Sequence, residues 1–543
     1  MNRATTTPQR ATARARPVRA LPAVFLAIGL LVAGAAPANA DLRLPPVFTD
    51  GAVLQHGVSL PVWGWAEPGQ RVSVRVLDQR HEAVADAEGA WRVTLRPLSL
   101  RTAAHVPDAI ELTIEAGADS VTLSDLLVGD VWLCSGQSNM KWELQSTWNG
   151  DMEIAKADRP GVRLLTVETP GSQTPTLTCD AAWEVCTPRT ARRFSAVGYH
   201  FGLELHERFG VPIGLIDNAW GGSSCEAWTP RERLEGDTMY AALMERWRKV
   251  EATYDPAAEQ AKHQAAVADW KVARAAATQA GEPEPRKPRW ENALTGKHRP
   301  ANLFHGRLGP IMPYAIKGAI WYQGEANASR AYQYRELFPL MIRSWRDAWG
   351  QGDFPFYWVQ LADFKPERDE PRESVWAELR EAQTMTLDRE PNTGQAVIID
   401  LGEGQDIHPR NKRDVALRLA RLAMSDLYGV EGLDRESPRM ARVEIDGPKA
   451  TVAFHHVGAG LRTLDAPEVI GFTLAGADRV FHHAAAKIVG SDRVEVTCDA
   501  VPEPVAVRYA WADNPRCNLI TQAGLPVTPL RSDDWPGWSH DAR

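Results

Sequence analysis

Between about residue 126 and residue 430 the chain repeats one unit: a short apolar run, a polar or glycine-rich cluster, and a helical stretch. The apolar runs fall at 130–134, 162–167, 211–216, 316–322, 356–361 and 396–400, with helical patterns between them at, for example, 194–209 and 372–387. Strands this apolar have both faces buried, and their alternation with helices predicts an α/β fold with a parallel sheet flanked by helices. In such sheets reactive groups gather at the carboxyl ends of the strands. The clusters that follow the strands are therefore the places to look for chemistry.

The flanking segments follow a different rhythm. Val72, Val74 and Val76 alternate with Arg71, Ser73 and Arg75, and Ile110, Leu112 and Ile114 with Glu111 and Thr113. A period of two means strands with one buried face. Asp50-Gly51, Pro68-Gly69 and Glu88-Gly89 supply turns, so residues 41–125 are expected to form a small N-terminal β-sandwich. The α/β region is expected over 126–435, interrupted at 237–290 by a charged, Ala-rich helical insertion that ends in a Pro-rich connector. The β pattern returns over 436–543, as at Val443, Ile445, Val452 and Phe454.

Residues 1–40 read as a leader rather than as part of the fold. Arg3, Arg10, Arg14, Arg16 and Arg19 precede an apolar run from Leu21 to about Val32, and small residues lead to Ala38-Asn39-Ala40. A signal peptidase reads this pattern, which predicts export to the periplasm or the medium, with cleavage after Ala40. The run is short for a membrane span of ~20 residues, and no membrane anchor is expected. Cleavage would remove five arginines and no acid, taking the net charge from −8 to −13. So acidic a chain argues against nucleic acid as a partner. In an oxidising compartment Cys179 with Cys186, and Cys498 with Cys517, are the expected disulfide pairs, while Cys134 reads as a small buried hydrophobe. The cysteine spacings match no zinc site, and the doublets His455-His456 and His482-His483 make poor chelates because adjacent strand side chains point apart.

Four clusters follow strands. The first is Gly136-Gln137-Ser138-Asn139-Met140. A serine at a strand-to-helix turn is held outward with its own N–H free, though taken alone such a serine is more often a helix cap. The second, Trp220-Gly221-Gly222-Ser223, lets the backbone approach a ligand. The third sets Gln323, Glu325 and Asn327 at one strand end, where a side-chain amide can donate to an oxyanion. The fourth, Asp406-Ile407-His408-Pro409, offers an imidazole near a carboxylate, the makings of a general base.

In their order these clusters resemble the blocks of SGNH hydrolases, and in particular the sialate O-acetylesterase-like family. The resemblance is carried by GQSNM at 136–140, GLIDNAWGGSSCEAW at 214–228, WYQGEAN at 321–327 and DIHPRNKRDVALRLA at 406–420. It implies a flavodoxin-like SGNH sheet, no cofactor or metal, and an O-acetylated sugar as substrate. It also implies Ser138 as nucleophile, His408 as base, and an oxyanion hole of the Ser138 N–H, the Gly222 (or Gly221) N–H and the Gln323 amide. The family's acid usually stands three residues before the histidine, where this chain has Gln405, so Asp406 is the preferred third member, with a backbone carbonyl or Asp400 as alternatives. Glu325 and Asn327 are expected to bond the Gln323 loop, and Asn139 and Trp142 to line the acyl pocket. His305 is a weaker candidate for the site. The expected substrate is a 9-O-acetylated sialic acid, the alternatives being acetylxylan or another plant polysaccharide, a non-catalytic glycan-binding protein, and a glycosidase, for which no carboxylate pair is evident.

Overall fold

The computed structural model describes residues 42–542 other than 101, 104 and 105, so the expected leader lies outside the described residues. The core of the fold is a sheet of seven strands in the order Glu184–Cys186, Arg159–Thr166, Ile213–Asp217, Asp119–Gly136, Gly318–Tyr322, Phe356–Val359, Thr393–Ala396. Six of them run parallel, and only the edge strand Glu184–Cys186 is antiparallel to its neighbour. Strand order reverses around the central strand Asp119–Gly136, the kind of switch point that opens a crevice at the carboxyl edge.

Helices cover both faces. On one side Ala196–Phe209 packs beside Lys412–Leu427, over Trp132, Leu215 and Tyr357. Ser195 caps the first, its hydroxyl accepting from the Gly198 N–H at 3.1 Å, and Asn411 caps the second by accepting from the Asp414 N–H at 3.2 Å. On the other side Ala331–Trp349 and Val375–Met385 cover the sheet, Trp345 of the first packing on Trp228, Trp321 and Phe356.

The central strand has two characters. Over 119–125 most side chains are exposed or half-exposed, whereas every residue of 126–136 is buried. Its first part pairs with Ile110–Ala116, which pairs in turn with Arg71–Val76, and that with Gln79–Val84. Leu60–Trp65 pairs with Ala90–Leu95 as a second antiparallel layer. Val62, Val93, Val74 and Leu112 from these layers share one continuous apolar core with Trp321 and Trp345. The C-terminal β region holds its own core, built on Val452, Phe472, Leu474, Val496 and Val507. The helices Ala241–Thr253 and Pro256–Ala280 fill the insertion, the second with no buried residue. No described helix is long and apolar enough to cross a membrane.

Two expectations change. The last strand ends at Ala396 rather than running to residue 400. All six cysteines are unbridged. Cys186 is buried on its strand, its thiol donating to the Ala157 carbonyl, while Cys179 packs against the other core. The Cys498 thiol donates to the His483 carbonyl, and Cys517 lies beside Tyr509. Cys134 is a buried small side chain.

Candidate active site

Sheet register assembles the site. Gly136 pairs with Tyr322 and Cys134 with Asp217, so the segments after all three strands emerge together. Gly136 has φ +134°, and a Cβ there would stand 2.3 Å from the Tyr322 carbonyl oxygen. Only glycine lets the two strand ends close so tightly. Gln137 takes the N-cap position of the short helix Ser138–Lys141 without a side-chain cap, so Ser138 is the first helical residue and not the cap. Its Oγ lies 2.8 Å from His408 Nε2.

His408 arrives on the loop between the last strand and Lys412–Leu427. Its ring stacks on Trp142, with centroids 4.7 Å apart and 13° between planes. Asp406 Oδ1 accepts from the His408 backbone N–H at 2.9 Å and stands 3.5 Å from Nδ1. Asp406 thus holds the loop firmly and the ring loosely. Burial and then the Lys412 ammonium lower the His408 pKa from its ordinary value, against the opposing pull of Asp406. Asp400 is engaged elsewhere, in a two-pronged ion pair with Arg418 at 2.6 and 2.7 Å. None of the contacts of His305 reaches Ser138 or His408.

The glycine turn lies against the serine: a Cβ on Gly221 would come within 3.6 Å of Ser138 Cβ. Gly222 has φ +73°. Among the described residues no acceptor meets the N–H of Ser138, Gly221 or Gly222. The Gln323 amide, by contrast, is spent. Its Nε2 donates to the Ser223 carbonyl at 3.1 Å and to Asn327 Oδ1 at 2.7 Å, and its Oε1 accepts from Tyr334 OH at 2.9 Å. The Ser223 carbonyl fixes that orientation, because a flipped amide would turn oxygen against oxygen. With both hydrogens used and the side chain fully buried, Gln323 has none for an oxyanion. It anchors the turn whose N–H groups are free.

Asn139 departs from expectation too. It is 1% exposed, so it lines no acyl pocket. Its Nδ2 donates to Glu325 Oε1 at 2.6 Å and to the Ile407 carbonyl at 3.0 Å. Glu325 therefore bonds the serine turn rather than the Gln323 loop. Asn327 does hold Gln323, and it also accepts from the Cys225 N–H at 2.9 Å and donates to Glu226 at 2.9 Å.

A family model for carbohydrate esterases, sialic acid-specific acetylesterases, matches residues 128–261 and 302–423, the segments that carry Ser138, the glycine turn, Gln323 and His408. A solved carbohydrate acetylesterase from Xanthomonas citri is 38% identical, with 91% of this chain and all of that one covered and a TM-score of 0.74. The chain belongs to this family of carbohydrate acetylesterases. Human sialate O-acetylesterase is 26% identical across 92% of this chain and 95% of its own length. The mouse enzyme is 28% identical across 71% and 73%.

In this acetylesterase the Ser138 hydroxyl meets an imidazole that can accept its proton, and the glycine turn with its unpaired N–H groups packs beside the same serine. One residue of the site escaped the sequence reading. Lys412 is fully buried and donates to Asn139 Oδ1 at 2.5 Å. A signal for it existed: Lys412 shares a helix face with Val415, Ala416 and Leu419, and a charge on an apolar face needs a partner. Among the described residues no group of three His, Cys, Asp or Glu is placed to hold a metal ion.

Proposed function

We propose that this protein is an exported serine esterase of the SGNH type that removes O-acetyl groups from carbohydrate, with an O-acetylated sialic acid as substrate. The observation that carries the mechanism is the 2.8 Å contact between Ser138 Oγ and His408 Nε2. His408 takes the hydroxyl proton as Oγ attacks the acetyl carbonyl. The oxyanion is held by the N–H of Ser138 and of Gly221 or Gly222, and Asp406 steadies the imidazolium through the loop and the carboxylate beside Nδ1. His408 then gives its proton to the departing sugar oxygen, and water cleaves the acetyl-enzyme by the same route. No step draws on a cofactor.

Ser138→Ala should abolish acetate release and covalent labelling by a fluorophosphonate, and wild-type turnover in that variant would refute the scheme. The sialic acid reading is supported by the human and mouse relatives named sialate O-acetylesterases. A second reading, an acetylated polysaccharide such as xylan, is favoured by the 38%-identical relative described only as a carbohydrate acetylesterase. Acetate release from O-acetylated mucin against acetylated xylan decides between them. Export to the periplasm or medium rests on the Arg-rich, apolar and Ala-Asn-Ala pattern of residues 1–40. A mature N-terminus at Asp41 in protein recovered from outside the cytoplasm is the expected result, and an intact leader there would overturn it.

A further inference from the structure

A buried polar cluster lies beneath the Ser138–His408 pair, and the proposed reaction makes no use of it. Lys412 opens the helix Lys412–Leu427 with its ammonium sealed from solvent. Besides donating to Asn139 Oδ1, Nζ stands 5.3 Å from the Tyr322 ring centroid and 5.9 Å from that of Trp142. Asn139 has its two amide hydrogens on Glu325 and on the Ile407 carbonyl. The ammonium dictates which way that amide faces, because a flip would bring Nδ2 against Nζ. One amide thereby ties the residue after Ser138 to the residue before His408. Trp142, beside the same ammonium, carries the His408 ring.

A position on this helix face is ordinarily filled by an apolar side chain, as Val415, Ala416 and Leu419 fill it. Burying a lysine there is costly. Burial pushes the Lys412 pKa down to about 7 and raises that of its neighbour Glu325. A costly buried charge bonded to the one amide that joins the two catalytic turns points to function rather than stability.

We propose that Lys412 is a positioning residue for ester hydrolysis, acting through Asn139 to lock the Ile407–His408 backbone onto the Ser138 turn. This rests on the proposed Ser138–His408 chemistry. The same charge acts on His408 across the cluster. The ionisable groups facing the imidazole are Asp406 on its own loop and Lys412 on the helix, while Glu325, Asp406 and Glu403 face Lys412. In the acid range where His408 titrates, Lys412 is charged and opposes protonation of the ring.

The test compares the full-length protein with Lys412→Met and Asn139→Ala on nitrophenyl acetate. Lys412→Met should lower kcat roughly ten- to a hundredfold, as loss of an orienting partner does. Its KM should stay within about twofold, because no substrate contact is lost. The acid limb of kcat/KM should move to higher pH as the ring is relieved of repulsion. Asn139→Ala should lower kcat without that upward shift, since the ammonium remains. Adding Lys412→Met to Asn139→Ala should cost much less in kcat than it does alone. Near-normal kcat in Lys412→Met with an unmoved acid limb would overturn the inference, as would full additivity of the two changes. Should Lys412→Met fail to fold, Lys412→Gln removes the charge alone and must still move the acid limb to higher pH; an unmoved limb there overturns the inference. The Ser138→Ala control separates the two failures: activity there sinks the esterase scheme, whereas an inactive Ser138→Ala beside an unaffected Lys412→Met sinks only the role of Lys412.

Discussion

His408 sits between Trp142 and Ser138, where burial and the Lys412 ammonium keep its pKa below the ordinary 6.5. The base must be neutral to accept the serine proton, and a lowered pKa keeps it neutral further into acid. The kcat/KM profile should therefore fall on the acid side with an inflection below 6.5, and a limb centred above that value would contradict this environment. Gln323 makes the opposite kind of prediction. Gln323→Met leaves the Ser223 carbonyl and the Tyr334 hydroxyl unpaired in the core, which should lower stability by about 2–5 kcal/mol in urea titration. Turnover per folded molecule should drop by no more than about tenfold, against ~10²–10³ for loss of an oxyanion donor. Unchanged stability with the larger loss would restore Gln323 as a donor. The sequence reading chose Gln323 for its residue type and its strand end, and both were legible. How its amide is satisfied was not, because the Ser223 carbonyl that accepts from it and the Tyr334 hydroxyl that donates to it reach it only in the folded chain.

At the level of elements, what could be read was periodicity, and what could not was continuity. The change near residue 125 from alternating to mostly apolar sequence is real, yet it falls within the strand Asp119–Gly136. One strand passes from a layer buried on one face to a sheet buried on both, and the pattern changes with the burial while the backbone runs on. The same limit explains the cysteines: short spacing brought Cys179 and Cys186 together on paper, but the sheet sets them against different cores. The carboxyl end of the central strand yields its own prediction. Gly136→Ala puts a Cβ 2.3 Å from the Tyr322 carbonyl oxygen at φ +134°, so the two strand ends must part. The expected result is a loss of about 1–3 kcal/mol in thermal or denaturant unfolding, with activity falling as Ser138 moves off the His408 ring. A variant as stable and as active as the wild type would show that the close approach of the strands is dispensable.

Across the whole molecule, the central strand makes the N-terminal layers part of the machinery that holds the site. Val74 and Leu112 lie in the same unbroken apolar core as Trp321 and Trp345, and the strand that pairs with Ile110–Ala116 ends two residues before Ser138. Loss of packing in those layers should therefore reach the active site by cooperative unfolding rather than by a local shift. Val74→Ala, at a fully buried position facing that core, should cost about 1–3 kcal/mol. Its urea midpoint should move to lower concentration by the same amount whether followed by tryptophan fluorescence or by acetate release. Below the transition kcat should be that of the wild type, because the substitution leaves the register at Gly136, Tyr322 and Cys134 intact. If fluorescence moved while the activity midpoint stayed in place, the N-terminal layers would unfold on their own, and the continuous core would not act as one unit. Coincident shifts would mean that the β layers, for all their distance in sequence from His408, carry part of the free energy that keeps its ring against Ser138.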